Sequence, residues 1–241
     1  MSSHWCLWFG TPPATLAAAP CCSCTAAGYV IGTAYGARRM SAVCTDGGPV
    51  LVSVEYRLAP EHPYPAALDD AHAVYRDLRA TRTDPLAVVD ESAGGGLALA
   101  LVARLRDEGE ALPELLVPMF PWADLTLSGE SYRTNRRRDG LTCTSLERCV
   151  TQYAAGSPVT TPGISPVHAD YRGFPRTTLH VGTHDRLLTD ARTVAAALRN
   201  AGVDVELHEY RGCVHGFSGL NLPESVAARK RILADLRQAT Q

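Results

Sequence analysis

The sequence predicts an α/β fold with a mostly parallel central sheet flanked by helices. From about residue 49 onward, short apolar segments alternate with amphipathic stretches, which is the pattern of strands joined by crossover helices of about 10–15 residues. The chain has 241 residues, of which 46% are hydrophobic and 20% are charged. This balance is ordinary for a globular protein and excludes wholesale disorder, and the length suffices for one large domain with a sizeable core.

Five short apolar segments predict the strands. Residues 50–54 are rich in valine, and residues 203–207 alternate apolar and acidic side chains as a half-exposed strand does. Four longer stretches predict the helices, and Gly202 is placed to end one of them. The predicted strands are 50–54, 86–89, 115–120, 177–181 and 203–207, and the predicted helices are 66–79, 97–105, 191–201 and 225–237.

A serine stands where one predicted strand passes into a predicted helix. Residues 90–96 read Asp-Glu-Ser-Ala-Gly-Gly-Gly, and a serine at a strand–turn–helix corner is lifted above the sheet with its hydroxyl exposed. The N–H of Ala93 would point where an oxyanion forms, and the helix N-terminus favours negative charge there. The segment thus indicates Ser92 as a nucleophile, although a glycine-rich turn that merely starts a helix gives the same pattern.

Two later loops supply the base and the acid that a serine nucleophile needs. Asp185 follows the strand at 177–181, and His215 follows the strand at 203–207. Carboxyl ends of parallel strands share one rim of the sheet, where chemistry is usually found. Taken singly, His215 could be an ordinary surface histidine and Asp185 a helix-capping acid. Together the order Ser92, Asp185, His215 is that of an α/β-hydrolase triad.

Five further segments carry recognisable motifs: residues 28–32, 54–70, 92–95, 121–125 and 215–217. Together they resemble the hormone-sensitive-lipase-like, or family IV, carboxylesterases of the α/β-hydrolase superfamily. The resemblance runs from about Gly28 to the C-terminus and predicts a catalytic domain over 28–241, after an atypical segment over 1–27. It implies hydrolysis of short-chain carboxylic esters through an acyl-serine, without metal or organic cofactor. Ser92 would be the nucleophile, His215 the general base and Asp185 its orienting carboxylate.

The predicted oxyanion hole consists of the backbone N–H groups of Ala27, Gly28 and Ala93. Family members carry His-Gly-Gly-Gly where this chain has Thr-Ala-Ala-Gly at residues 25–28. An alanine keeps its N–H but costs on the order of 1–2 kcal/mol where φ must be positive. Asp90 is a second departure, because the family elbow has a glycine there and an aspartate adds bulk and charge beside Ser92.

The segment before Gly28 differs from the rest of the chain, with no Asp, Glu, Lys or Arg before Arg38. The resemblance implies cap helices and the first sheet strands in this region, so we expect the N-terminal cap to be reduced or absent. Histidine and glycine codons read one base late give threonine and alanine. A frame-shifted reading of an esterase gene up to about residue 27 therefore explains the segment, and the nucleotide sequence tests it.

The loop at residues 56–62 carries Arg57, Glu61 and His62. We interpret these side chains as buried ion pairs that brace the site, with direct substrate contact as the alternative. The expected substrate is a small ester; a lactone, which the same triad can open, is one alternative. A hydrolase-fold binding protein without activity is the other, because fold alone does not determine activity.

Composition restricts the partners and the compartment. A net charge of −2 argues against nucleic acid as the main partner, and no apolar run is long enough to span a membrane. Eight cysteines without paired metal-ligand spacing fit free thiols in a reducing cytosol better than a disulfide framework or a zinc site. A cytoplasmic enzyme is expected, and the family makes a homodimer through an edge strand plausible.

Overall fold

A computed structural model of the chain describes residues 6–9, 20–23, 28–33 and 50–239. Within these ranges seven strands form one sheet: β1 (Cys6–Phe9), β2 (Pro20–Ser23), β3 (Val50–Val54), β4 (Ala87–Glu91), β5 (Leu115–Met119), β6 (Arg176–Gly182) and β7 (Val205–Tyr210). Their order across the sheet is β1-β3-β2-β4-β5-β6-β7. Only β1 runs antiparallel to its neighbour, and the other pairs are parallel.

Helices follow the strands as the crossover pattern requires. They are α1 (Ala66–Thr81), α2 (Ala93–Asp107), α3 (Glu130–Thr134), α4 (Cys143–Ala154), α5 (Leu188–Asn200) and α6 (Pro223–Ala239), with 3-10 turns at Pro166–His168 and Phe217–Gly219. Helix α2 packs on β4 and β5, and α5 packs on β6 and β7. Strand β5 is buried along its whole length, as expected for a parallel strand covered on both faces.

The five predicted strands and four predicted helices are all present, with ends shifted by a few residues. The largest shift is at α2, which begins at Ala93 rather than at residue 97, because three consecutive glycines disfavour a helix by propensity alone. Helices α3 and α4 were not predicted. Helix α3 has only five residues, too few for a period to be recognised, whereas α4 buries Leu146, Tyr153 and Ala154 at a helical spacing that the sequence analysis did not use.

Two short strands lie within the atypical N-terminal segment. Strand β2 lies between β3 and β4, with Cys22 paired to Val52 and to Val88, so it joins the two halves of the sheet. The first sheet strands, which the family resemblance implies for this region, are thus present in part. Each of these strands has only four residues, which is too short for an apolar–polar alternation to be recognised in the sequence. The reduced cap and the domain boundary at residue 28 stay predictions.

None of the helices in the described ranges combines the length and apolarity needed to cross a bilayer.

Candidate active site

Ser92 occupies the sharp turn between β4 and α2. Its backbone has φ 57° and ψ −123°, a region that costs a side chain-bearing residue on the order of 1–3 kcal/mol and that persists only when the surroundings enforce it. The Ser92 N–H donates to the carbonyl oxygen of Met119 at 3.0 Å, and the Trp122 N–H donates to the carbonyl oxygen of Ser92 at 2.9 Å. Both sides of the turn are therefore held by the chain that leaves β5.

The glycines after Ser92 are needed for close packing. A Cβ on Gly96 would collide with the carbonyl oxygen of Trp122 and lie 2.8 Å from the Tyr29 hydroxyl. A Cβ on Gly95 would lie 3.1 Å from Pro121. The first turn of α2 therefore lies directly against the segment after β5, which places Ser92 at the rim of the sheet.

His215 connects Ser92 to Asp185. Its Nε2 lies 2.9 Å from Ser92 Oγ, and its Nδ1 lies 3.0 Å from Asp185 Oδ2 and 3.2 Å from Oδ1. Asp185 is fully buried, and its Oδ1 also accepts a hydrogen bond from the Leu187 N–H at 2.8 Å. The three residues that the sequence singled out thus form one continuous hydrogen-bonded chain.

The loops that carry Asp185 and His215 are joined by hydrogen bonds that main-chain N–H groups donate. The His184 N–H donates to the Cys213 carbonyl oxygen at 2.9 Å, and the Gly212 N–H donates to Thr183 Oγ1 at 2.8 Å. A Cβ on Gly182 would collide with the same Cys213 carbonyl, so glycine is required for this approach. These contacts fix the separation of the two loops.

Two residues before α4 support the Asp185 loop, and sequence reasoning missed both. Asn135 is buried, and its Nδ2 donates to the carbonyl oxygens of Asp185 at 2.8 Å and Thr183 at 3.2 Å. Asp139 Oδ2 accepts from the Arg186 N–H at 2.7 Å. They lie in a segment without strong periodicity, and a polar side chain that bonds main-chain atoms of a distant loop leaves no sequence pattern.

The surroundings of His215 favour its protonated form. Burial lowers the pKa of the imidazole, but the charge and hydrogen bond of Asp185, followed by the charges of Asp139 and Glu91, outweigh burial and raise that pKa above 6.5. Glu91 Oε2 is itself held by the Ser218 hydroxyl at 3.1 Å. The Phe120 ring packs edge-on against the imidazole with centroids 4.9 Å apart. The sequence analysis assigned no role to Glu91 or Phe120.

The predicted oxyanion donors are described in part. Ala93 is the first residue of α2, so its N–H has no partner within the helix. Gly28 has φ 62°, and a Cβ there would lie 2.7 Å from Cys149 Sγ; glycine is thus favoured by both backbone and packing. The next residue, Tyr29, also has a positive φ of 66° and stacks on Tyr153 at 3.8 Å. Ala27 lies outside the described residues.

Asp90 is accommodated inside the sheet. It is fully buried in β4, and its Oδ1 accepts from the Glu91 N–H at 2.8 Å. Its charge adds to burial in raising the pKa of the Tyr29 phenol well above its usual value. The aspartate that departs from the family pattern therefore lies beneath the turn of Ser92, with one oxygen satisfied by main chain.

Of the three charged side chains singled out in the loop at residues 56–62, Arg57 is the one that pairs with a buried acid. The Arg57 guanidinium lies 2.8 Å from Asp70 Oδ1, and Asp70 is buried. The Ala59 N–H donates to the Tyr29 carbonyl at 3.1 Å, so the loop also holds the turn that contains Gly28. The expectation of buried pairs is wrong for Glu61 and His62, which are exposed.

Comparison with known proteins places this geometry in context. A family described as having the alpha/beta hydrolase fold matches residues 26–219. An acetyl-hydrolase from Streptomyces hygroscopicus is 36% identical over 218 residues, which cover 88% of this chain and 73% of that protein. An esterase from Acinetobacter venetianus is 34% identical, and its match covers 78% of this chain and 63% of that protein.

Solved structures show the same architecture. The chain aligns with an esterase from the bacterial hormone-sensitive lipase family with a TM-score of 0.91 and 33% identity, over 98% of this chain and 81% of that one. It aligns with the esterase EstE5, in a crystal soaked with p-nitrophenyl butyrate, with a TM-score of 0.91 and 30% identity, over 99% and 82% of the two chains.

Proposed function

The chain belongs to the α/β-hydrolase family and resembles its hormone-sensitive-lipase-like esterases, and on that premise we propose that it is a serine carboxylesterase acting on short-chain esters. The observation that carries the proposal is the hydrogen-bonded chain from Ser92 through His215 to Asp185. A buried carboxylate, an imidazole and a half-buried serine at a sharp turn are, in this arrangement, the parts that nucleophilic acyl transfer requires.

In the acylation step Ser92 Oγ attacks the ester carbonyl carbon while its proton passes to His215 Nε2. The Nδ1–H of His215 is held by Asp185, which fixes the tautomer with a lone pair on Nε2 and stabilises the imidazolium that forms. The new C–O bond pushes an electron pair onto the carbonyl oxygen. Collapse of this intermediate expels the alcohol oxygen, which takes the proton back from His215.

The second half of the reaction uses the same groups with water. His215 Nε2 removes a proton from water as its oxygen attacks the acyl-serine, and the proton then returns to Ser92 Oγ as the acid leaves. The developing oxyanion would accept hydrogen bonds from the N–H groups of Ala93 and Gly28, with Ala27 as the third donor by family resemblance. Each such donor contributes roughly 10²–10³ in rate.

The short acyl preference is supported by the relatives. One similar protein is named an acetyl-hydrolase, and the EstE5 crystal was soaked with a butyrate ester. We therefore infer acetyl and butyryl esters as the substrate class.

The experiment is a rapid-mixing assay with p-nitrophenyl acetate and butyrate. The proposal predicts turnover, with a burst of p-nitrophenol that approaches one equivalent of enzyme where deacylation is slower than acylation. Ser92→Ala should reduce the rate by at least about 10⁴-fold while its circular dichroism stays that of the wild type. Ser92→Ala that hydrolyses both esters as fast as wild type would contradict the proposal. A folded wild type without turnover on esters or a medium-ring lactone would instead indicate a binding protein.

A further inference from the structure

A metal-ligating group of side chains lies between α1 and the C-terminal end of α2. Within the described residues it is the one set of three or more histidine, cysteine or acidic side chains whose ligand atoms all lie within 4.8 Å of one another. Its members are His72, Glu108 and Glu110. We propose that these three residues bind a divalent transition-metal cation of the zinc class, which staples the two helices together.

The distances suit such an ion. His72 Nε2 lies 3.0 Å from Glu110 Oε1 and 3.4 Å from Glu108 Oε2. In tetrahedral zinc sites with bonds of about 2.0–2.2 Å, neighbouring ligand atoms are about 3.3–3.6 Å apart. A cation can therefore enter between these atoms with only small side-chain movements. Glu108 and Glu110 are partly exposed, so water can complete the coordination.

His72 is a preorganised ligand. Its side chain is only 7% exposed, and it belongs to the buried face of α1, so packing fixes the direction of the ring. The ring points out of the core with Nε2 toward both carboxylates. A buried imidazole aimed at two acidic groups from another element is more than an accumulation of surface acids.

Arginines lie beside the carboxylate oxygens that the cation would not use. Arg104 Nε donates to Glu108 Oε1 at 2.8 Å, and Arg76 Nε lies 3.6 Å from Glu110 Oε2. The atoms directed at His72 are Glu108 Oε2 and Glu110 Oε1. Outer-shell partners of this kind orient ligating carboxylates and are a regular feature of metal sites.

The ligand set selects the class of cation. An imidazole nitrogen with two carboxylates suits zinc, nickel or copper, whereas magnesium and calcium prefer oxygen ligands only. The site is remote from Ser92, because α2 begins at Ala93 and its 15 residues separate the two ends by about 22 Å at 1.5 Å per residue. The bound cation would thus act on stability rather than on the reaction.

The experiment is a calorimetric titration of chelator-treated, tag-free protein with ZnCl₂, together with thermal unfolding. The test variant is Glu108→Gln/Glu110→Gln. The matched control is Asp77→Asn/Asp107→Asn, which also removes two carboxylates, one from α1 and one from the last residue of α2, both outside the group. All three proteins keep the eight cysteines, so any zinc bound by thiols is common to them. We expect wild type and control to bind one more equivalent of zinc than the test variant.

Zinc at about 100 times its dissociation constant should raise the melting temperature of wild type and control by about 5–10 °C more than that of the test variant. His72→Gln should weaken the extra equivalent at least about 10-fold, and millimolar Mg²⁺ should not displace it. Equal stoichiometry and equal thermal shifts in all three proteins would overturn the proposal, as would displacement by Mg²⁺. These readouts are independent of esterase activity.

Discussion

The two sides of Ser92 are built by different means. On the side of His215 and Asp185, two loops are fixed by hydrogen bonds between their main chains and by Asn135. On the side of Gly28 and Ala93, position depends on close packing and on left-handed backbone at Gly28 and Tyr29. The hydrogen-bonded side tolerates side-chain changes that leave its donors and acceptors in place, except at Gly182, where a Cβ would collide with the Cys213 carbonyl oxygen. A sterically defined side does not tolerate one added methyl group.

The largest expected effect breaks the hydrogen-bonded side at its carboxylate. In Asp185→Asn the amide would donate to Nδ1 of His215, so that Nε2 carries the proton and cannot accept one from Ser92. We expect kcat to fall by about 10⁴-fold with the fold intact. Steady-state hydrolysis of p-nitrophenyl butyrate measures this, with circular dichroism as the check on folding. A loss of less than 10-fold would mean that Asp185 does not set the tautomer.

The second prediction tests the steric side at Gly28. Gly28→Ala adds a Cβ 2.7 Å from Cys149 Sγ at a φ of 62°, so we expect kcat/KM to fall about 10²-fold. The free energy of unfolding should fall by about 1–2 kcal/mol from the backbone strain alone. Urea denaturation and steady-state kinetics give both values.

Two control variants separate the effect of backbone strain at positive φ from the effect of the collision with Cys149. Gly202→Ala places alanine at φ 79° with nothing within 4 Å, so it carries the strain and keeps full activity. Adding Cys149→Ala to Gly28→Ala removes the collision and should recover part of the lost stability. Wild-type activity in Gly28→Ala would show that this turn does not position an oxyanion donor.

The sequence predicted the sheet after residue 49 and the order of the three site residues, because both rest on local signals. Valine-rich runs give the strands, and a residue that follows a parallel strand must lie at the carboxyl rim. The partners that act across the fold were not predictable. Asn135 and Asp139 bond main-chain atoms some 50 residues away in sequence, and Asp70 meets Arg57 from within a helix. Contacts of this kind recur at no fixed spacing along the chain, so no sequence pattern reveals them.

The third prediction concerns Asn135, which supports the hydrogen-bonded side of the site. Asn135→Ala removes the donors to the Asp185 and Thr183 carbonyls. We expect kcat to fall about 10-fold with KM nearly unchanged, since small misplacements of reacting groups slow chemistry more than binding. The split between kcat and KM is the readout that a general loss of structure would not produce. If kcat and KM changed by the same factor, Asn135 would not be a positioning residue.

The smallest effect concerns pH. Because the pKa of His215 is raised above 6.5, the imidazole stays protonated to higher pH, and kcat/KM should rise through a midpoint above 6.5 rather than at that unperturbed value. Glu91→Gln removes one of the charges that raise this pKa and should lower the midpoint by a few tenths of a unit. Ser218→Ala keeps the charge and serves as the control. A midpoint at or below 6.5 in wild type would contradict the described surroundings.

The claim tested most directly by one measurement is that His215 and Asp185 activate Ser92. The measurement is the rate at which a fluorophosphonate labels the protein, followed by peptide mass spectrometry, in wild type and His215→Gln. We predict one label on the peptide that contains Ser92, added at a rate that increases as His215 loses its proton. The rate should fall at least about 10³-fold in the variant. Labelling of another residue, or an equal rate in His215→Gln, would contradict the account.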